Sequence, residues 1–119
     1  MAIMHAMETV RKLVPDLDGR IGHFEVEDFE MDDELLAAFC EELERIAGEL
    51  QAGLDSKNKE MIRVAAHSIK GMGGTMGLPE ISVLAQEVEL TLRSGQMPRC
   101  VELCNTLIIW SREFITQNQ

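Results

Sequence analysis

Apolar residues recur every three or four positions along four long stretches of the chain, which is the spacing of a helix with one buried face. The first stretch follows Asp32 or Asp33, either of which can cap a helix, and is expected to end near Gly53. Its predicted buried positions are Leu35, Leu36, Phe39, Leu43, Ile46 and Leu50. The pattern therefore predicts a long amphipathic helix from about residue 32 onward.

A second stretch has the spacing of a bundle seam, with Asp55 or Ser56 as its expected cap. Its predicted core positions are Ile62, Ala65, Ile69, Met72 and Met76. Gly77 suits the left-handed residue that ends a helix, and Pro79 suits the first turn of the next one. We therefore expect the chain to reverse direction at Leu78.

Two further helices follow the reversal. The third is expected to end at "RSGQ" with Gly95 as its C-cap, and Pro98 opens the fourth. Their predicted buried positions are Ile81, Leu84, Ala85, Val88 and Leu92, and then Val101, Cys104, Leu107, Ile108, Phe114 and Ile115. Four long helices with short connections near residues 54, 78 and 96 predict an all-α fold, an antiparallel up-down-up-down four-helix bundle.

The region before the bundle predicts one short helix over residues 3–14, which ends before Pro15. Its apolar residues at helical spacing are Met7, Val10 and Val14. The following segment, "HFEVEDFEMDDE", holds seven acids within residues 25–34 and is either an acidic docking surface or a solvated lead-in to the first long helix. The expected organisation is an N-terminal extension over residues 1–31 and a bundle over residues 32–117.

Composition narrows the classes of partner. The 119 residues suffice for one domain, and a formal charge of -10 argues against a nucleic-acid partner because phosphate binding needs clustered Lys and Arg. The first thirty residues do not read as a signal peptide and no segment reads as a membrane span, so we expect a cytoplasmic protein with no membrane partner. We also expect a monomer. Cys40, Cys100 and Cys104 suit reduced thiols, and we expect Cys100 and Cys104 to be small core residues.

The stretch that carries candidate chemistry is "AAHSIKGMGGTMGLPE", residues 65–80. The core seam of the second long helix predicts that His67 lies on another face and is at least partly exposed. Lys70 can place its ammonium beside a group attached to the imidazole, although an ordinary salt bridge explains a lysine equally well. Gly71 and Gly74 would leave a shallow floor for another protein's backbone, although tight packing inside the bundle also favours glycine.

Counting across the predicted reversal brings one carboxylate level with the histidine. His67 precedes Leu78 by eleven residues and Glu89 follows it by eleven, so each lies about 16 Å along its helix from the reversal. Glu87 points about 200° away from Glu89, so only one of the two acids can face the imidazole. A carboxylate that accepts the Nδ1–H leaves Nε2 outward, as a nucleophile for an anionic group such as a phosphoryl group.

These residues resemble the signature of the histidine-containing phosphotransfer (HPt) domain. That signature has an HxxKG core followed by glycines seven and ten places after the histidine, which Gly74 and Gly77 match here. The resemblance implies that His67 accepts a phosphoryl group from an aspartate of a response-regulator receiver domain, or passes one to it. It therefore implies a phosphocarrier of a two-component phosphorelay, without ATPase or kinase activity of its own.

The resemblance also implies roles for the surrounding residues and for the partners. Lys70 would steady the phosphoryl group, Gly71 would permit close approach, and Glu89 would hold the histidine ring. The implied receiver-docking residues are Arg63, Val64, Ser68, Gly71, Gly74 and Thr75. The implied partners are a receiver domain and a histidine kinase or hybrid kinase, and the chain is expected to bind no cofactor or metal, with Mg²⁺ in the partner domain.

Three other functions stay open. "AAHSIKG" and Glu89 are also similar to the phosphoacceptor domain of chemotaxis-type histidine kinases, although that domain often has a second histidine near the position of Gln86. A receiver-binding adaptor would keep the bundle without phosphorylation of His67. An enzyme that uses His67 as a nucleophile in hydrolysis would need a substrate pocket and an oxyanion site, and the sequence has no sign of either.

Overall fold

The computed structural model describes residues 6–24 and 32–118, which form six α-helices and one 3₁₀ turn. The N-terminal elements are α1 (Ala6–Leu13), α2 (Leu17–Arg20) and the 3₁₀ turn (Ile21–His23). The four long helices are α3 (Asp33–Asp55), α4 (Lys59–Thr75), α5 (Pro79–Arg93) and α6 (Met97–Gln117). No strand occurs within these two described ranges, so the predicted all-α class is confirmed.

The four long helices enclose one hydrophobic core. α4 packs against α3 and α5, and α6 packs against both α5 and α3, so that every long helix has two neighbours. Each pair of consecutive long helices is separated by only three residues, which keeps sequence neighbours side by side. The deepest core positions include Leu43, Ile62, Leu84, Leu103 and Leu107. This packing positions α4 and α5 for the site described below.

The reversal between α4 and α5 follows the predicted turn chemistry. Gly77 has a φ of 72°, the left-handed conformation that glycine adopts without a steric penalty. Pro79 occupies the first turn of α5, where its missing N–H has no partner to lose. Gly95 has a φ of 76° at the corresponding position after α5. Both turns therefore end their helices where the sequence predicts.

The predicted cap of α4 was wrong. Asp55 is the last residue of α3, and the Ser56 hydroxyl donates to the carbonyl of Ala52, 2.7 Å away, within that helix. The cap is Asn58, whose side-chain oxygen accepts from the backbone N–H of Met61 at 3.2 Å. An extra turn with one residue at positive φ separates the two helices, which moves the cap past the residues that the sequence pattern favours.

Replacement of Asn58 by Ala is expected to lower the free energy of unfolding by about 1 kcal/mol, because the first turn of α4 loses its side-chain acceptor. Urea denaturation followed by circular dichroism measures this change. Ser56→Ala is the matched control, since the Ser56 hydroxyl bonds a carbonyl at the end of α3 and caps no helix N-terminus. A larger loss in Ser56→Ala than in Asn58→Ala would contradict this assignment of the cap.

The N-terminal helix is part of the core. α1 lies inside the predicted range 3–14, of which residues 3–5 are outside the described part of the chain. Ala6 and Val10 are buried, and α1 packs against α6. The backbone N–H of Ala6 donates to Glu113 Oε1 at 3.1 Å. The acidic stretch over residues 25–31 lies outside the described residues.

Arg20 joins the N-terminal segment, residues 6–24, to α5. Its guanidinium donates to Glu87 Oε2 and to Gln86 Oε1, each at 2.8 Å. Arg99 of α6 lies 3.5 Å from the other oxygen of Glu87 and donates to the carbonyl of Leu13 at 2.8 Å. α2 and the 3₁₀ turn both pack against α5. They cover a third side of that helix, in addition to the sides that contact α4 and α6.

The buried faces differ from the predicted ones at a few positions. Leu35 and Val101, both predicted to be buried, are exposed. Leu35 lies before Phe39, the first buried residue of α3, and Val101 lies beside the buried face of α6 that holds Cys100 and Cys104. Half-buried positions among those predicted are Leu36, Met72, Leu92 and Phe114. Buried positions that the pattern misses on α4 and α5 are Ala66, Gly73, Pro79, Ser82, Val83 and Thr91. On α5, Ser82 faces α4, where its hydroxyl donates to the carbonyl of Lys70, and Thr91 contacts Cys100 of α6.

The thiols follow the expectation that Cys100 and Cys104 are core residues. Both are fully buried on one face of α6, and all three cysteines are free. A hydrogen bond from the Cys104 thiol lowers the pKa of Cys100, and the same contact raises the pKa of Cys104. Burial raises the pKa of Cys40. Among the helices that the structure describes, none is both long and apolar enough to cross a membrane.

Candidate functional site

His67 lies in the middle of α4, on the side of that helix that faces away from the core. Its side chain is 65% exposed, whereas the preceding Ala65 and Ala66 and the following Ile69 are buried. The helical spacing that buries those three residues turns His67 outward. The predicted exposure of the histidine is therefore confirmed.

The carboxylate of Glu89, on α5, faces the imidazole as the count across the reversal predicts. Its Oε2 lies 3.5 Å from Nδ1 of His67, and the Glu89 side chain is only 11% exposed. The contact is longer than a formed hydrogen bond, as is common at reactive groups before their reaction partner is bound. Because Nδ1 faces the carboxylate, Nε2 is left on the opposite, outward edge of the ring.

Lys70 contacts the second oxygen of the same carboxylate. Its Nζ lies 2.8 Å from Oε1 of Glu89, an oxygen that is shielded from solvent. The two groups form an ion pair, but their angles do not meet the geometry of a hydrogen bond. The Lys70 side chain keeps 28% of its surface exposed. Glu89 thus holds a histidine on one oxygen and an ammonium on the other, and the three side chains form one network.

The neighbouring acid on α5 faces another direction. Both oxygens of Glu87 contact arginines, Arg20 at 2.8 Å and Arg99 at 3.5 Å. These contacts tie together the N-terminal segment, α5 and α6. The expectation that only one of the two acids can face the histidine is confirmed. Glu87 instead forms ion pairs that stabilise the fold.

Arg63 stands one turn before His67 on the exposed face of α4. Its guanidinium pairs with Glu60, with Nε 3.0 Å from Oε2. This pair raises the pKa of Arg63, and the nearby carboxylate of Glu89 adds a smaller contribution in the same direction. Arg63 is thus a second cation within the electrostatic reach of the His67 and Glu89 pair.

The three glycines that follow Lys70 have different surroundings. A Cβ on Gly71 would meet nothing within 4 Å, so this position is open, as predicted. A Cβ on Gly74 would lie 3.3 Å from the carbonyl oxygen of Phe24, so the N-terminal segment covers it and the expectation of an open floor was wrong there. A Cβ on Gly73 would lie 2.4 Å from Ser82 Oγ and 2.9 Å from the backbone oxygen of Leu78. Gly73, for which the sequence predicts no role, lies where α5 packs closely on α4 and has the least room for a side chain of the three.

A shallow groove runs between α3 and α4 beside the exposed face that carries His67. Its α4 wall consists of Ser68, Gly71, Met72, Thr75 and Met76. Its α3 wall consists of Leu35, Ala38, Phe39, Glu42 and Ile46. The sequence predicts three of these positions as docking residues but misses the α3 wall. The sequence feature that could have indicated this wall is an apolar residue, Leu35, in the exposed first turn of α3.

The hydroxyls in this groove turn inward to their own helix. Ser68 Oγ donates to the carbonyl of Val64, and Thr75 Oγ1 donates to the carbonyl of Gly71, each at 3.0 Å. Their hydrogen-bonding capacity is thereby partly satisfied, which leaves a largely apolar groove. The side chain of Val64 is itself exposed on the outer face of α4.

A comparison with protein-family models matches residues 34–116 to the Hpt domain, which is well over half of the chain. The chain belongs to the Hpt domain family. Hpt domains are phosphocarrier modules that carry out histidine phosphotransfer in two-component signalling, where they interact with histidine kinases and response regulators. Comparisons with curated proteins and with solved structures found no match.

The Hpt match begins in the first turn of α3 and ends near the last residues of α6. The His67, Lys70 and Glu89 network lies inside it, whereas α1, α2 and the 3₁₀ turn lie before it. Within the described ranges of this Hpt protein, no group of three or more His, Cys, Asp or Glu side chains could hold a metal ion.

Proposed function

We propose that His67 is the phosphoacceptor of this Hpt protein and that it carries a phosphoryl group between aspartates of response-regulator receiver domains. The observation that supports this proposal most is the contact of Nδ1 with the shielded carboxylate of Glu89, on an imidazole that is otherwise exposed. Residues 32–117 form the phosphotransfer unit, as a bundle of four alternating helices. Residues 1–31 are an N-terminal addition, of which α1, α2 and the 3₁₀ turn pack on the bundle.

The transfer step needs one nucleophile and one leaving group. Nε2 of His67 attacks the phosphorus of the receiver's aspartyl phosphate, the N–P bond forms, and the P–O bond to the aspartate breaks, which releases a carboxylate. The proton on Nδ1 stays on the ring, which then carries positive charge. Glu89 stabilises that charge, and the same groups serve the reverse transfer.

Lys70 supplies the positive charge for the phosphoryl group. It stands three residues after His67, and its ammonium already lies at the site, 2.8 Å from Glu89. Once the phosphoryl group is on the ring, the lysine side chain can turn from the carboxylate to the phosphoryl oxygens, because its stem rotates freely. Arg63 adds a second cation on the outer side of the same face.

The receiver docks against the exposed face of α4 and the groove between α3 and α4. Gly71 leaves open space beside His67, and Ser68 and Thr75 line the apolar groove next to it. Val64 extends this surface toward the N-terminus of α4. A largely apolar groove beside one reactive histidine suits a protein surface better than a small substrate.

The chain binds no cofactor in this proposal. The carboxylate that contacts His67 is Glu89, whose charge the ammonium of Lys70 already neutralises and whose other oxygen faces the imidazole. A Mg²⁺ ion would need several free oxygen ligands. We therefore assign the Mg²⁺ of the reaction to the partner receiver or kinase domain.

Incubation with a phosphorylated receiver is expected to leave one acid-labile, base-stable phosphate on the wild-type protein, and His67→Gln is expected to abolish it. Phosphate labelling followed by acid and base treatment measures both. Transfer that persists in His67→Gln would overturn the proposal. Receiver binding with no phosphohistidine in the wild type would favour the adaptor, and labelling only by a kinase domain with ATP would favour the chemotaxis-type phosphoacceptor.

A further inference from the structure

We propose that Ser82 is a positioning residue for phosphotransfer: its hydroxyl holds the backbone of Lys70 and thereby sets α5 on α4 so that Glu89 reaches His67. This inference rests on the proposed role of His67 and extends it to a residue outside the histidine network. Ser82 touches neither the imidazole nor a phosphoryl group. It acts through the position of α5.

The hydrogen bond of Ser82 crosses between helices. Ser82 is fully buried, and its Oγ donates to the carbonyl oxygen of Lys70 at 2.6 Å. A buried serine in a helix commonly bonds the carbonyl four residues before it, as Ser111 does with Leu107 at 2.8 Å in α6. Ser82 instead reaches the residue that carries the cation of the site. The contact therefore joins α5 to α4 at Lys70.

Gly73 makes this approach possible. The space that a Cβ would take at Gly73 lies 2.4 Å from Ser82 Oγ and 2.7 Å from Ile81 Cγ1. Any larger residue at position 73 would push α5 away from α4. The missing side chain thus allows the Ser82 hydroxyl to reach the α4 backbone.

Two contacts from one face of α5 then hold Lys70. Ser82 and Glu89 are seven residues apart, which is close to two helical turns, so both point toward α4. In a helix the carbonyl points toward the C-terminus and the side chain leans toward the N-terminus. Ser82 accordingly takes the carbonyl of Lys70, and Glu89 takes its ammonium at 2.8 Å. A change in the helix register would break both contacts together.

Ser82→Ala tests the proposal, with Ser111→Ala as the matched control, since both remove a buried hydroxyl that donates to a backbone carbonyl. The first readout is the rate of His67 phosphorylation by phosphoramidate, which needs no protein partner. We expect Ser82→Ala to react about three- to tenfold more slowly, as the loss of one net hydrogen bond predicts, and Ser111→Ala to react as the wild type does. Ser82→Cys puts a weaker donor and a slightly larger atom at the same position, and is expected to react more slowly than the wild type.

The second readout is the tautomer of neutral His67, from long-range ¹H–¹⁵N correlation spectra. We expect the Nδ1–H form to dominate in the wild type and to lose population in Ser82→Ala but not in Ser111→Ala. Equal rates and equal tautomer populations in the two alanine variants would overturn the role of Ser82. A wild-type protein that phosphoramidate does not phosphorylate would overturn the proposed function instead, while the tautomer comparison would still decide the role of Ser82.

Discussion

Gly73→Ala is expected to lower the free energy of unfolding by about 1–3 kcal/mol, the usual cost of overpacking a close contact. The new methyl group would lie 2.4 Å from Ser82 Oγ, 2.7 Å from Ile81 Cγ1 and 2.9 Å from the backbone oxygen of Leu78. The last of these cannot rotate away, so α5 must shift. We expect phosphorylation of His67 to slow as well, since Glu89 moves with α5.

Gly71→Ala is the matched control for that variant. It lies two residues earlier in the same helix, and its new methyl group would meet nothing within 4 Å. Alanine is favoured over glycine in a helix, so this variant is expected to gain up to about 1 kcal/mol. Urea denaturation curves of both variants measure the difference, and shifts of the same sign and size would contradict the tight crossing at Gly73.

Glu89→Gln is expected to slow phosphorylation by about 10- to 100-fold, by analogy with carboxylates that orient metal-binding histidines. The amide keeps the shape of the side chain but lacks the charge that stabilises the ring and holds Lys70 at 2.8 Å. The helical content should not change, because the side chain lies at the edge of the core. Initial rates with phosphoramidate, together with circular dichroism spectra, measure both effects.

Glu87→Gln is the control for charge removal on α5. It removes the partner of Arg20 and Arg99 but leaves the contacts of His67 intact. We expect a phosphorylation rate close to that of the wild type and a lower stability of the N-terminal segment. A Glu89→Gln variant that reacts at the wild-type rate, or that unfolds, would show that Glu89 has a structural role only.

The sequence predicts the His67 and Glu89 pair because the reversal between their helices depends on local chemistry. Gly77 adopts the left-handed conformation and Pro79 starts α5, so the count of residues on either side determines which positions are level. The period of the helix then decides between the two acids of α5. A short turn with strong local preferences therefore makes a long-range contact predictable.

The roles of the glycines depend on contacts that no local pattern contains. Gly74 is covered because Phe24, fifty residues earlier, packs on it, and Gly73 is tight because α5 lies directly over it. The α3 wall of the groove depends in the same way on how α3 packs on α4. At the turn before α4, the cap falls on Asn58 because Lys57 adopts a φ of 55°, which the sequence does not indicate.

The role of His67 as phosphoacceptor is tested most directly by locating the phosphoryl group on the protein after transfer from a phosphorylated receiver. Heteronuclear ¹⁵N and ³¹P NMR of the ¹⁵N-labelled protein at alkaline pH identifies both the residue and the ring nitrogen. We expect one phosphoryl group, on Nε2 of His67, because Nδ1 faces Glu89. Phosphate on Nδ1 of His67, on His5 or His23, or no phosphohistidine at all would contradict it.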